Sequence, residues 1–445
     1  MVYDAAVIGT GPDPSDPDRD GYAMGYRHGH AYENNADCEL VACADIVLEN
    51  GRAFAREFDL REGTAYEDYG TMLDAVEPDL VSVCVPPGIH AGIVEDCAES
   101  GNVSAIHCEK PMADTWGDCR SMVRTCDRNR VQLTINHQRR FGAPFRRAKE
   151  LLDDGAIGSL TRIEFADETL FDAGIHQVDL SRYFTDGADV EWVLAQVDYR
   201  EENRWFGTPN ATQALAQWRY ADGTVAIATT GESTPEGACY LRLAGTDGAI
   251  EVGVEDGPTL RYRTDDGRWK SADTDGENLH GFESPGYLGA ALLKLRRRLP
   301  LVSTEDPEAP VFIERAIADA VEGLKTGSEP ELSGRNALRA TEVVFAAWES
   351  ARRRGRIDLP LEVDDNPLVA MIDAGWLGPA ADRAASAADA PADYRETYEH
   401  VGDAADYVAV NVSCPNSEGV RDLQNRDSLE AILSENPRRV LGLAD

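Results

Sequence analysis

Between Tyr3 and Asn136 short apolar runs alternate with helical stretches, and this rhythm constrains the fold more than any other feature of the chain. The runs are Ala5–Ile8, Leu40–Ala44, Leu80–Val85, Ser104–Cys108 and Val131–Ile135. They are continuous rather than alternating in polarity, as strands covered on both faces must be. Helical segments near Gly51–Glu57, Tyr69–Ala75, Ala91–Ser100 and Trp116–Arg128 separate them. Such a strand–helix alternation closes as a doubly wound parallel sheet, so residues 1–142 are expected to form a Rossmann-type α/β domain.

After a helix at Phe145–Asp153 the rhythm changes. Leu160–Phe165, Trp192–Tyr199, Ala214–Tyr220, Thr224–Thr230, Tyr240–Ala244 and Leu260–Arg263 read as strands joined by Gly/Asp turns such as Ala221-Asp222-Gly223. Residues 143–363 are therefore expected to form an α+β domain with a large, mostly antiparallel open sheet. Helices near Val311–Leu324 and Asn336–Arg353 belong to it. Residues 364–392 become rich in Ala and Asp and read as a linker. Residues 393–445 start again with their own strand, Tyr407–Val410.

Charge limits the partners. Eighty acidic residues face 43 basic ones, a net charge of −37, which argues against nucleic acid or an anionic membrane as a partner. Only five lysines occur, at 110, 149, 270, 294 and 325. Acid excess with suppressed lysine reads as a halophilic, salt-adapted surface, because salt screens self-repulsion. No apolar run reaches the roughly 18 residues of a spanning helix, and no leader pattern is seen, so a cytoplasmic location is expected. Nine cysteines without a CxxC pair argue for reduced thiols and against a zinc site.

The first strand runs into Gly9-Thr10-Gly11, the opening of a phosphate-binding turn, but position 14 is proline. Residues 12–22 hold three prolines and four aspartates, so they should loop out. Without them Gly11 is followed by Ala23-Met24-Gly25, and the spacing is restored. Asp45 ends the second strand about 20 residues after Gly25, where a ribose-binding acid belongs. Glycines admit a pyrophosphate and the helix N-terminus attracts it. Asp45 would accept ribose hydroxyls and repel a 2′-phosphate, and Ile46 and Val47 supply no cation, so NAD is expected rather than NADP. Loop glycines without a ligand are the plainer alternative.

Three further stretches hold chemistry-bearing residues: Val83-Cys-Val-Pro-Pro-Gly-Ile-His90 and Glu109-Lys110-Pro111 after strands of the first domain, and Asp172-Ala-Gly-Ile-His176 at the opening of the second domain's helix. Oxidising an alcohol needs a base for the hydroxyl proton, and a lysine or histidine serves. Asp172 and His176 are four apart and would share a face at the start of a helix. Asp172 also reads as a plain helix cap, and His176 as a core histidine.

Taken in order, these motifs resemble the glucose–fructose oxidoreductase/inositol dehydrogenase family, Gfo/Idh/MocA, over about residues 3–360. The resemblance implies a nicotinamide-dependent oxidoreductase acting on the carbinol or carbonyl of a sugar, inositol or related polyol, assembled as a homo-oligomer. It implies Lys110, Asp172 and His176 as the catalytic group, Glu109 on the nicotinamide side, and Pro86 and His90 in the cofactor cleft. His28 matches a family position, Arg140 of Arg139-Arg140-Phe141 either reaches the cleft or forms a salt bridge, and Asp179 is expected to hold its helix. A non-catalytic NAD-binding sensor of the same fold is the alternative.

The tail differs. Asn411-Val-Ser-Cys414-Pro-Asn416 resembles dihydroorotate dehydrogenase over about residues 391–435, where the asparagines would hold a pyrimidine and the cysteine act as base. A (β/α)₈ barrel takes roughly 250 residues, so this fragment is expected to be non-catalytic and free of flavin.

Overall fold

A computed structural model describes residues 2–15, 23–235, 238–255, 257–280 and 311–378. The linker beyond 378 and the expected tail strand lie outside the described residues. The described parts of Met1–Asp198 and Asn203–Met371 form one compact unit. No described helix is long and apolar enough to cross a membrane.

The first sheet contains β1 (Tyr3–Ile8), β2 (Cys38–Ala44), β3 (Ala65–Tyr66), β4 (Leu80–Val83), β5 (Ala105–Cys108) and β6 (Gln132–Ile135). Their order is β3-β2-β1-β4-β5-β6, all parallel. The strand order reverses between β1 and β4, and ligands bind at the carboxyl ends of such a switch point. The apolar runs are continuous because both faces are covered: Ala5, Ala6, Val7, Leu80, Val81, Ala105 and Ile106 are all fully buried. The helices are α1 (Met24–Glu33), α2 (Leu48–Glu57), α3 (Tyr69–Val76), α4 (His90–Glu99) and α5 (Trp116–Asn129). Thr115 caps α5 by accepting from the Asp118 N–H at 3.1 Å.

The second sheet follows α6 (Ala143–Asp153). It uses β7 (Leu160–Asp167), β8 (Val190–Asp198), β11 (Gln213–Tyr220), β12 (Val225–Gly231), β13 (Leu241–Gly245), β14 (Ala249–Val252), β15 (Leu260–Arg263), β16 (Lys270–Ser271) and β17 (Ile357–Asp358). A small hairpin of β9 (Arg204–Trp205) and β10 (Thr208–Pro209) stands apart. The order is β16-β15-β14-β13-β7-β12-β11-β8-β17. Every pairing is antiparallel except β12 with β7, as the sheet expected from 143–363 should be. Helix α7 (Ile175–Phe184) leads from β7 to β8, and α9 (Gly334–Arg353) packs on β8, α7 and α5. Its Phe345 and Trp348 contact Trp116 and Phe171, which ties the two sheets together.

Three local features differ from the sequence reading. Strand β14 was not foreseen, being four residues long after a Thr-Asp-Gly turn. Helix α8 (Val311–Thr326) covers the first sheet rather than the second: Ile313, Ile317 and Val321, spaced by four, join the core of Ala5, Val7, Tyr32 and Leu80. Within the expected linker, Pro367–Asp373 forms helix α10 with Leu368 and Met371 buried, and the Asn366 side chain donates to the Asp114 carbonyl.

Candidate active site

The glycine turn is shaped by close approach. Gly9 (φ +84°) and Gly11 (φ +70°) adopt left-handed backbone. A Cβ on Gly9 would lie 2.7 Å from the Cys84 carbonyl, and one on Gly25 would lie 2.7 Å from the Thr10 Cα. Gly25 thus seats the start of α1 against the turn despite the intervening insertion, of which Pro12–Ser15 are described and close locally through Asp13 and Ser15. Among the described residues no side chain caps α1, and its first N–H groups point where an anion would sit. Asp45 Oδ2 accepts from Thr10 Oγ1 and from the Gly11 N–H, both at 3.0 Å, and Oδ1 accepts from the Val47 N–H. Ile46 and Val47 beside it are exposed. Asp45 Oδ1 also lies 3.4 Å from Asn50 Nδ2, so a ribose hydroxyl would take the place of one of these donors. The groups present fit a dinucleotide: a helix N-terminus, a tight glycine turn, and an acid at the end of β2.

At the end of β4 Pro86 is exposed and starts a short 3₁₀ turn. His90 departs from expectation. It is fully buried, with Nε2 2.7 Å from the Val85 carbonyl and Nδ1 2.9 Å from that of Pro111. Burial depresses its pKa, and the ring pins the β4 loop to the Glu109-Lys110-Pro111 loop rather than presenting itself to a ligand.

Glu109 follows β5 and is buried. Its carboxylate accepts from His28 Nε2 (2.9 Å), Asn136 Nδ2 (2.7 Å) and the Lys110 N–H (3.2 Å). Burial alone would raise its pKa, but His28, Asn136 and the Lys110 charge hold it at about 2. His28 Nδ1 meets Ser82 Oγ at 2.9 Å, and Ser82 meets the Tyr32 hydroxyl at 2.6 Å.

Lys110 points toward the second sheet. Its Nζ lies 3.1 Å from Asp172 Oδ1 and 3.0 Å from the Asp172 carbonyl. Asp172 does not start a helix, because α7 begins at Ile175 after an N-cap at Gly174. It lies in the preceding turn, where its N–H donates to Asn210 Oδ1 at 3.2 Å and its carboxylate serves Lys110. His176 is on α7, with Nδ1 buried and unpartnered. Burial, then the charges of Arg139, Lys110 and His137, push its pKa well below the ordinary range, so the ring is neutral. The His137 ring stands edge-on to it at 5.8 Å, and both His137 nitrogens are buried without a partner.

Arg140 forms the salt bridge. Its Nε and Nη2 grip both oxygens of Asp179 at 2.6 and 2.7 Å in a buried pair, and Asp179 thereby fixes α7 to the 3₁₀ turn after β6. Arg139 instead lies over the Tyr240 ring, 4.7 Å from its centroid. Asn136, His137, Arg139, Asn210 and Tyr240 were not singled out from sequence. The signal available for the first three was their position just beyond the carboxyl end of a parallel strand.

Comparison with known proteins agrees with this architecture. Residues 21–137 match the family model described as "Oxidoreductase family, NAD-binding Rossmann fold", and residues 166–251 match the "GFO/IDH/MocA C-terminal domain". The D-apiose dehydrogenase of Paraburkholderia graminis is 27% identical over 368 residues, 78% of this chain and 90% of that protein. An oxidoreductase from Agrobacterium radiobacter, solved with NAD+, L-tartaric acid and magnesium, superposes with a TM-score of 0.62 at 20% identity, covering 80% of this chain and 98% of that one. Residues 382–440 match the dihydroorotate dehydrogenase model. The quinone-type dihydroorotate dehydrogenase of Haloarcula marismortui is 68% identical over 47 residues, which span 11% of this chain and 13% of that enzyme.

Proposed function

We propose that this chain, whose residues 21–137 and 166–251 match Gfo/Idh/MocA models and which is similar to sugar and inositol dehydrogenases, moves hydride between NAD and a sugar, inositol or related polyol. The observation that carries this reading is the Lys110–Asp172 pair, set with His176 beyond the carboxyl ends of the parallel strands. The D-apiose dehydrogenase relative supports the substrate class.

Gly9, Gly11 and Gly25 would hold the pyrophosphate, and Asp45 the ribose next to the adenine. Asp45 disfavours a 2′-phosphate, and the exposed Ile46 and Val47 offer it no cation, so NAD is preferred over NADP. Pro86 and Glu109 border the nicotinamide half. The nicotinamide, when bound, supplies the hydride acceptor. As hydride leaves the carbinol carbon, the hydroxyl becomes a carbonyl and its proton passes to the neutral His176 ring. The Lys110 ammonium, held by Asp172, stabilises charge developing on the oxygen. The acid-rich surface makes concentrated salt the working condition, and the open face of the second sheet, where Leu194 and Leu215 are exposed, is the surface for a homo-oligomer.

The test is Lys110→Ala assayed with NAD in concentrated KCl across a sugar and polyol panel. Turnover should fall about 10²- to 10⁴-fold while the NAD Kd, read by fluorescence, stays unchanged. Undiminished turnover rejects the assignment of Lys110. Tight NAD binding by the wild-type chain without activity on any panel member favours a sensor instead.

A further inference from the structure

We propose that Arg139 and Tyr240 form a subsite for a carboxylate on the substrate, so that the preferred substrates are sugar acids or polyol acids rather than neutral polyols. This rests on the polyol-dehydrogenase reading above and adds its substrate class.

The two neighbouring arginines make the contrast. Arg140 is neutralised by Asp179 through two buried bonds. Arg139 makes no ion pair among the described residues, and its Nη1 is buried without an acceptor. The hydroxyl of Tyr240, whose ring carries the guanidinium, is also buried, and Arg139 is the polar side chain beside it. Asp167 is close enough for its charge to act on Tyr240, but its carboxylate accepts from Gln177 and does not join Arg139. A buried donor without an acceptor carries the cost of its lost hydration uncompensated. Among the described residues no carboxylate takes this cation, which leaves its fork to an acceptor carried by a ligand.

The shape of the pair specifies that acceptor. A guanidinium presents a planar fork that matches a carboxylate bidentately, and stacking on an aromatic ring fixes the plane of the fork. The Tyr240 hydroxyl adds a neutral donor. The position fits as well: Arg139 lies in the 3₁₀ turn two residues after His137, whose ring stands 5.8 Å from that of His176. A carboxylate held at Arg139 would then turn a carbinol of the same small molecule toward His176 and Lys110.

The experiment compares matched pairs, glucose with glucuronate and galactose with galacturonate, using NAD and the full chain. The acid should exceed its neutral partner in kcat/KM by about 10- to 100-fold. Arg139→Gln should abolish that preference through KM with NAD Kd unchanged, and Arg139→Lys should restore part of it. Equal or better use of the neutral sugars by the wild-type chain, or a retained preference in Arg139→Gln, overturns the proposal. Thermal shift of the NAD-bound protein by each compound is read in parallel. If no compound is turned over, the dehydrogenase reading fails, but stabilisation by the acids that vanishes in Arg139→Gln still upholds the carboxylate subsite, and no stabilisation overturns it.

Discussion

Two polar clusters flank the carboxyl edge of the parallel sheet, and they are built to opposite rules. On the cofactor side, Tyr32, Ser82, His28, Glu109 and Asn136 form an unbroken chain of buried hydrogen bonds. Around Lys110 and α7, His137, His176, Arg139 and Tyr240 place buried polar atoms that no described group partners. The amide nitrogen of Asn136 closes the first cluster on Glu109. Buried polar groups normally find partners, and the penalty for leaving one unmade exceeds the gain from making it. The first cluster therefore stabilises the fold, while the second carries an unrelieved cost, as the proposed substrate site would.

The comparison breaks most sharply at His28. His28→Phe leaves the Glu109 carboxylate buried without its main donor, and loss of one partner from a buried pair costs about 3–5 kcal/mol. Urea unfolding at neutral pH should register that loss. The pH dependence has a definite sign. Glu109 is depressed from 4.5 to about 2, so its contribution is present above pH 4.5 and drains as pH falls toward 2. The gap between wild type and His28→Phe should narrow over that interval, and a gap independent of pH would show that Glu109 is not the group involved.

His137→Phe is the opposite case and the smaller effect. Removing two unpartnered ring nitrogens should leave the unliganded fold as stable or raise it by up to about 1 kcal/mol, while substrate KM rises about tenfold. A large loss of stability would mean that the second cluster is structural as well. Smallest of all is the effect expected for truncation after residue 378, which keeps α10. NAD-dependent activity should be unchanged, and the full-length protein should show no flavin absorbance. A yellow protein oxidising dihydroorotate would refute the reading of the tail.

The site was legible wherever a residue type answers a local demand. Gly9 and Gly25 follow from how closely two backbone segments must approach, and Lys110 from its place after a buried strand in a chain nearly free of lysine. Partnerships were less legible. Asp172 was read four residues before His176 on one helix, yet it lies in a turn and serves Lys110, 62 residues away. Of the adjacent Arg139 and Arg140, sequence singled out the second for the cleft or a salt bridge; the structure pairs it with Asp179 and lays the first over the Tyr240 ring.

By itself, then, the sequence determined the two sheet types, because apolar periodicity reports whether a strand is covered on one face or both. It also determined the nucleotide turn across its insertion, because only glycine tolerates the backbone there. Tertiary structure decided which sheet α8 would cover, since an amphipathic stripe states that a face is buried but not against what. It likewise decided which arginine is neutralised, because Asp179 arrives from 39 residues away, and no local pattern encodes the meeting of two distant segments.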